Sequence, residues 1–227
     1  MEDDVDWDVR LKQSLHDFAI SANALLQISP AHNINFDNLP PTAAPQYSPY
    51  GDGWDMIWLG HCGMHLPFKG GVVLQENDVT VPQHHHLHSF VPGESTPLSI
   101  YPEHTRAIMG DINEGTCSLA YAVTQSAARQ ILYDLGLQRL DESFDLALRG
   151  WCEGSKTGTP RVCLGVLPQL FDHHRRAGPG EIDSDISAPK PELRETAFTN
   201  NIRWSVMMNM KKILNGETDY DDQYPDS

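Results

Sequence analysis

The chain lacks any apolar run of the roughly 18 residues needed to cross a bilayer, and it is poor in basic residues. Its 16 Lys and Arg stand against 31 Asp and Glu, which gives a formal net charge of −15. Such a charge repels phosphates at long range and argues against nucleic acid as a partner. The first residues, Met1 to Asp4, also lack the basic and apolar regions of a signal peptide. We therefore expect no membrane span and no nucleic-acid partner.

No CxxC motif is present, because the four cysteines, Cys62, Cys117, Cys152 and Cys163, lie far apart in sequence. Buried free thiols are one interpretation. The even count also permits two disulfides, and Cys152 with Cys163 is the most plausible pair because these two residues bracket a short Gly-containing loop. The cysteines leave the compartment open.

Residue spacing predicts an α/β fold. Apolar residues recur three and four apart from Trp7 to about residue 28, which indicates an amphipathic helix, and prolines predict a long loop over 30–53. Apolar runs and capping residues indicate the remaining elements: strands at 54–62, 116–123 and 161–167, and helices that begin at the caps Thr124, Asp141 and Thr199. The strand, turn and helix around Thr124 form the unit from which α/β sheets are built.

Three consecutive carboxylates, Glu2, Asp3 and Asp4, stand immediately before the first predicted helix. Carboxylate oxygens are the ligands that Mg²⁺ and Mn²⁺ prefer, together with substrate phosphates. A cation there would also offset the negative charge that the chain presents to an anionic substrate. The alternative is an acidic, solvated start to a helix.

A second candidate metal site is the histidine run His84, His85, His86 and His88. Imidazoles suit Zn, Fe and Ni, so a non-haem iron oxygenase is one interpretation. Adjacent residues of a strand point to opposite faces, however, and cannot all converge on one ion. We expect a polar, exposed loop over this run.

Several separated blocks resemble glycosyltransferase family 25, the group related to lipopolysaccharide and procollagen galactosyltransferases, and most of all its fungal members. The blocks are MEDDVDWD at 1–8, WDMIWLGHCG at 54–63, TCSLAYAVTQSAARQIL at 116–132, LDESFDLAL at 140–148, VLPQLFDHHR at 166–175 and SDI at 184–186. Their order and spacing agree over nearly the whole chain. The resemblance implies a GT-A-like mixed sheet flanked by helices over residues 1–216. The acidic composition of residues 217–227 predicts a disordered tail.

The resemblance also implies roles for individual residues. Glu2, Asp3 and Asp4 would take the part of the DxD motif and hold Mn²⁺, or Mg²⁺, against the diphosphate of a UDP-sugar. Further roles fall on residues later in the chain: His173 or His174 as another metal ligand, Arg175 and Arg176 as phosphate contacts, and Asp141 or Glu142 as general base or acceptor contact. Asp141 is equally well read as a helix cap.

Family members carry a nucleotide-binding βα portion and an apolar strand ahead of the acidic block, whereas here the block opens the chain. We therefore expect an N-terminally truncated form that lacks most of the uridine pocket. The expected activity is inverting transfer of a hexose, galactose or glucose, from a UDP-sugar to a hydroxyl of a glycan or glycoprotein. The alternative is a non-catalytic protein of the same fold. The resemblance suggests the secretory pathway.

Overall fold

The computed structural model describes residues 1–28, 33–67, 71–89, 94–137, 142–179 and 193–227. They form an α/β fold in which helices flank a mixed sheet, as expected. The helices are α1 (Leu11–Ile28), α2 (Gln125–Ile131), α3 (Phe144–Glu153) and α4 (Val206–Leu214). The strands are β1 (Val5–Trp7), β2 (Ile34–Asn35), β3 (Met56–Gly60), β4 (Gly63–His65), β5 (Val72–Gln75), β6 (Arg106–Met109), β7 (Asn113–Thr116), β8 (Ala120–Val123), β9 (Cys163–Leu167), β10 (Phe171–Arg175), β11 (Gly178–Pro179), β12 (Leu193–Arg194) and β13 (Phe198–Thr199).

The main sheet has the strand order β1-β10-β3-β9-β6-β5-β2, with β8 also paired to β3 and β13 to β10. Strand β3 is parallel to β9 and β10 and antiparallel to β8. All five residues of β3 are buried, because one apolar cluster lies on each face of the sheet. Trp58 and Trp151 belong to the cluster beside α3, and Phe18 and Ile57 to the cluster beneath α1. Burial on both faces accounts for the continuous apolar run of β3.

The first helix begins later than its apolar spacing indicates. Trp7 lies in β1, and α1 starts at Leu11. The segment predicted as a single strand over 116–123 is two strands, β7 and β8, with Cys117 between them at φ 59°. Cys117 is tied to Cys62 by a disulfide, which fixes this break.

The capping predictions have mixed outcomes. Thr124 does cap α2, since its hydroxyl accepts the Ala127 N–H at 3.1 Å. Asp141 lies outside the described residues, and the residue at the N-cap of α3 is Ser143. Thr199 was the wrong cap for the last helix: Ser205 occupies that position and accepts the Met208 N–H at 3.0 Å. Thr199 instead belongs to β13, where its hydroxyl is engaged by a buried carboxylate.

Two disulfides join all four cysteines. The Cys152–Cys163 bridge, with Cα atoms 5.9 Å apart, confirms the predicted pair and links the end of α3 to the start of β9. The Cys62–Cys117 bridge links the segment after β3 to the segment before β8. The alternative of free thiols is therefore wrong.

The acidic C-terminal segment, predicted to be disordered, packs against the rest of the molecule. The Arg203 guanidinium donates to Asp222 Oδ2 at 2.5 and 3.0 Å, and Tyr224 Oη donates to the Thr199 carbonyl at 3.1 Å. Asn209, buried in α4, exchanges hydrogen bonds with the backbone of Asp221. The composition of the segment is acidic, but specific donors on the fold hold it in place.

Within the described part of the chain, every helix is too short or too polar to pass through a lipid bilayer.

Candidate functional site

The antiparallel pairing of β1 with β10 brings together two segments that lie more than 160 residues apart in the sequence. Val5 lies opposite His173, and the His174 N–H donates to the Asp4 carbonyl at 2.8 Å. Strand β10 is parallel to β3 only at Phe171, which lies beside the last residue of β3, so His173 lies beyond the carboxyl end of that strand. In α/β sheets this edge is where ligands bind.

Glu2, Asp4 and His173 form a cluster of possible metal ligands at this edge. His173 Nε2 lies 3.6 Å from Glu2 Oε2 and 3.7 Å from Asp4 Oδ2. One ligand atom from each residue can be chosen so that all three lie within 4.8 Å of one another. Glu2 is exposed, while Asp4 and His173 are half-buried, so the cluster is open to solvent on one side.

Burial favours the neutral form of His173, which is the form that can bind a metal. Burial lowers the pKa of His173, and the neighbouring Arg175 lowers it further, against the opposing effect of Asp4 and Glu2. An imidazole must be neutral to coordinate a cation, so a lowered pKa preserves this form near neutral pH. Arg175 Nη1 lies 3.6 Å from Asp4 Oδ2 and places a fixed positive charge beside the carboxylates.

Two carboxylates and one imidazole are donor types that divalent cations take. Two ligands of one ion with bonds of about 2.1 Å lie at most about 4.2 Å apart. The separations of His173 Nε2 from Glu2 and Asp4, 3.6 and 3.7 Å, are within this limit, whereas the bound on all three ligand atoms together, 4.8 Å, is looser than the limit. Two carboxylates and one imidazole leave other positions of the ion free for phosphate oxygens.

Three residues that the resemblance groups with this site lie elsewhere or point away. The His174 ring is directed to the other side of β10, where Nδ1 lies 3.1 Å from Thr199 Oγ1 and 3.7 Å from Asp6 Oδ2. Asp3 is exposed in the turn before β1, and Arg176 is exposed after β10. The structure thus separates the two neighbouring histidines and places only His173 with the carboxylates.

Of the two proposed base candidates, Asp141 lies outside the described residues. Glu142 lies at the rim of an apolar groove between α2 and α3, together with Tyr121 and Phe144. Its Oε1 lies 2.5 Å from Lys156 Nζ, so its charge is paired there. The groove and the metal-ligand cluster are separate features of the surface.

A layer of buried carboxylates lies behind the cluster, and the sequence analysis did not distinguish it. Asp6 is fully buried and accepts hydrogen bonds from the Thr199 hydroxyl, the Ser205 hydroxyl and the Met207 N–H. Asp172, opposite Asp6, accepts from Gln169 Nε2 and Asn201 Nδ2 at 2.6 and 2.8 Å. Burial raises the pKa of Asp172 to about 7. The sequence does contain a signal for this layer: Asp4, Asp6 and Asp8 alternate with apolar residues, and a two-residue alternation is typical of a β-strand.

A cleft of about 300 Å³ opens at the carboxyl end of β9, within the size range of small-ligand sites. Gln169 and Asn201 line this cleft, and both also donate hydrogen bonds to Asp172, the residue before His173. These two side chains therefore connect the cleft to the strand that carries His173. His65 and Glu114 face each other in the cleft, with His65 Nε2 3.4 Å from Glu114 Oε2.

The histidine run, predicted to be a polar, exposed loop, forms a 3₁₀ turn at His84–His86 in which His85 is exposed and His84 and His86 are half-buried. His84 Nδ1 lies 3.5 Å from Glu103 Oε1, and the His86 ring packs 5.2 Å from that of Tyr224. Among the described residues, the one group of three or more side chains close enough to share a metal ion is Glu2, Asp4 and His173.

Comparison with protein-family models, with curated proteins and with solved structures finds no match to this chain.

Proposed function

We propose that the protein is a metal-dependent glycosyltransferase that resembles family 25 and transfers a hexose, galactose or glucose, from a UDP-sugar to a hydroxyl of a glycan or glycoprotein. The observation that carries the proposal is the cluster of Glu2, Asp4 and His173 beyond the carboxyl end of β3. These residues are far apart in sequence, and the pairing of β1 with β10 brings them together.

The residues of the cluster have separable tasks. Glu2 and Asp4 supply hard oxygen ligands, and neutral His173 supplies a nitrogen without adding charge. A divalent cation bound there supplies the positive charge that stabilises the diphosphate as it departs. Arg175, beside Asp4, can pair with a phosphate oxygen of the donor.

The cleft at the carboxyl end of β9 suits an acceptor sugar, because its lining offers both hydrogen-bonding and apolar groups. An inverting transfer needs a base for the acceptor hydroxyl. The family resemblance assigns this role to Asp141 or Glu142, whereas the cleft itself offers Glu114 beside His65. Replacing Glu114 by Gln, Asp141 by Asn and Glu142 by Gln in separate variants distinguishes the three candidates, because only loss of the base lowers kcat without changing Mn²⁺ affinity.

Calorimetric titration with Mn²⁺ tests the cluster directly. Asp4→Asn keeps the shape of the side chain but removes its negative charge, and His173→Gln removes the imidazole nitrogen, so each is expected to weaken Mn²⁺ binding at least about tenfold. Asp3→Asn is the matched control, since it removes the adjacent carboxylate, which lies outside the cluster. Equal loss in Asp3→Asn and Asp4→Asn contradicts the assignment.

Release of UDP from UDP-galactose and UDP-glucose, with and without Mn²⁺, tests transfer. A non-catalytic protein of the same fold is the second candidate, and it is favoured by the partners that Asp4 already has in His173 and Arg175. Mn²⁺ binding that UDP does not strengthen supports this second candidate. The two disulfides fit the oxidising secretory compartment that the resemblance suggests.

A further inference from the structure

The two disulfides lie in different surroundings. Cys152 and Cys163 are each 1% exposed and belong to the apolar cluster beside α3. Cys62 and Cys117 are half-buried, and Cys62 lines the cleft at the carboxyl end of β9. A disulfide is reduced by a thiolate that must reach one of its sulfur atoms. The half-buried bridge is therefore the one that a soluble thiol can approach.

The Cys62–Cys117 bridge closes one end of a two-stranded ribbon formed by β4 and β7. Gly63 lies opposite Thr116, and the Cys62 N–H donates to the Thr116 carbonyl at 2.9 Å. Over the described ranges, no third strand pairs with this ribbon, which is separate from the main sheet. The disulfide thus provides a covalent link between the ends of two strands that have no other strand beside them.

The other end of the ribbon carries the charged pair of the cleft. His65 is the last residue of β4 and lies opposite Asn113, the first residue of β7. Glu114 follows Asn113, and its Oε2 lies 3.4 Å from His65 Nε2. Both side chains line the cleft. The distance between these two groups therefore depends on the pairing of β4 with β7.

Two residues in or next to β7 have a left-handed backbone although neither is a glycine. Glu114 has φ 54° and Cys117 has φ 59°. Such residues are strained and persist only where neighbouring groups hold them. Helix α3 supplies two of these groups: Glu153 Oε1 accepts the Glu114 N–H at 2.9 Å, and Asp145 Oδ2 accepts the next strained N–H, that of Cys117, at 2.8 Å. The disulfide adds a covalent restraint at Cys117, so its loss allows the backbone there to relax.

We propose that the Cys62–Cys117 disulfide is a redox switch of the cleft. A dithiol reduces it while the buried bridge stays oxidised, and the reduction loosens the β4–β7 ribbon and separates His65 from Glu114. The proposed function takes this cleft as the acceptor site, and only the statement that the switch controls acceptor binding rests on that function.

The reduction is a thiol–disulfide exchange. A thiolate of the dithiol attacks Cys62 Sγ, the bond between the two sulfur atoms breaks, and Cys117 leaves as a thiolate. The second thiol of the reductant then attacks the mixed disulfide and releases Cys62. The dithiol gives up two electrons and two protons and becomes a cyclic disulfide, and the two cysteines become thiols. An oxidising disulfide reverses the sequence and closes the bridge again.

Limited reduction of the native full chain with dithiothreitol tests the order of reduction. Samples are stopped with acid, unfolded in urea and labelled with N-ethylmaleimide, and each labelled cysteine is located by peptide mass spectrometry. We expect Cys62 and Cys117 to become reduced at least about tenfold faster than Cys152 and Cys163, because a thiolate reaches the half-buried bridge more readily. Equal rates, or faster reduction of the buried bridge, overturn the proposal.

Amide hydrogen exchange tests whether the bridge holds the ribbon. The reporters are the N–H groups of residues 62 and 114, which are bonded to the Thr116 carbonyl and to Glu153. Both should exchange at least about tenfold faster in the selectively reduced chain, and in the Cys62→Ser/Cys117→Ser variant, than in the oxidised parent. The N–H of Ile108, in the centre of the main sheet, is the control and should not change. If the double variant does not fold, the selectively reduced parent gives the same comparison. Equal exchange in the oxidised and reduced chains overturns the proposal.

The ring resonances of His65 report the separation itself. Glu114→Gln removes the charge 3.4 Å from His65 Nε2, so it should shift these resonances in the oxidised chain, and most of this shift should disappear in the reduced chain. The same shift in both redox states overturns the proposal. None of these measurements uses Mn²⁺ or a UDP-sugar, so failure of the switch and failure of the proposed transfer are distinguishable.

Discussion

Two groups of carboxylates in the same acidic run behave in opposite ways. Asp6 and Asp8 are buried and receive hydrogen bonds from the C-terminal part of the chain, whereas Glu2 and Asp4 lie at the surface with His173. The sequence places all four within seven consecutive residues. The number of hydrogen-bond donors around each group differs, and this number separates a carboxylate that stabilises the fold from one that is free to bind a ligand.

The histidines show the same contrast. His61 is fully buried, its Nε2 lies 2.9 Å from the Val166 carbonyl, and burial lowers its pKa to about 4. His173 is half-buried and lies within reach of two carboxylates. A buried imidazole with one backbone partner serves packing, while a solvent-accessible imidazole among carboxylates can serve binding.

The largest expected effect tests the buried group. Asp6→Ala leaves the Thr199 and Ser205 hydroxyls and the Met207 N–H without their acceptor, so the free energy of unfolding should fall by about 3–5 kcal/mol. Asp3→Ala, at an exposed position, should change it by less than about 0.5 kcal/mol. Urea unfolding followed by tryptophan fluorescence measures both free energies. Equal losses in Asp6→Ala and Asp3→Ala would contradict the distinction between buried and surface carboxylates.

His61 makes the free energy of unfolding depend on pH, because its pKa is lower in the folded chain than in the unfolded chain. The folded pKa of about 4 lies below the ordinary value of 6.5, so the unfolded chain binds the proton more readily. The contribution of His61 to stability is therefore complete above pH 6.5 and is lost as pH falls towards 4, by about 3 kcal/mol. His61→Gln keeps a donor for the Val166 carbonyl but does not titrate. The parent should lose stability relative to this variant between pH 6.5 and 4, and parallel pH profiles contradict the prediction.

The C-terminal segment gives an intermediate effect. Asp222 accepts two hydrogen bonds from Arg203, whose side chain is only 7% exposed, so Asp222→Asn should cost about 1–3 kcal/mol of unfolding free energy. Asp219→Asn is the control, because the Asp219 side chain is 81% exposed and its cost should be near zero. If the two variants are equally stable, the segment is not held as the structure shows.

Features that depend on residues adjacent in sequence can be predicted from the sequence better than the candidate site can. Strand β3, the Thr124 cap and the Cys152–Cys163 bridge follow from local patterns, and the structure contains all three. Thr199 had the right chemistry for a cap, but Asp6 engages its hydroxyl across 193 residues of sequence. No local pattern reports such a contact.

The same reason limits prediction of the site. His173 and His174 are adjacent and chemically alike, so the sequence leaves both as candidate ligands. Strand alternation puts them on opposite sides of β10, and the pairing with β1 decides which side holds Glu2 and Asp4. Register between strands at opposite ends of a chain is a tertiary property.

Apart from the controls, the smallest expected change in intrinsic stability comes from Asp4→Asn, and this variant sharpens the comparison most. The contacts of Asp4 with His173 and Arg175, at 3.7 and 3.6 Å, are partly solvent-exposed, so their loss should cost less than about 1 kcal/mol in metal-free buffer. Ligand that binds only the folded state stabilises it by about 2.7 kcal/mol at a concentration of 100 times Kd. Mn²⁺ should therefore stabilise the parent and the Asp3→Asn control by this amount, and Asp4→Asn, whose Mn²⁺ binding is expected to be at least about tenfold weaker, by no more than about 1.4 kcal/mol. Urea unfolding with EDTA and with Mn²⁺ gives all the values. If Asp4→Asn instead destabilises the metal-free protein as much as Asp6→Ala does, Asp4 belongs with the buried carboxylates, and the cluster is part of the fold rather than a binding site.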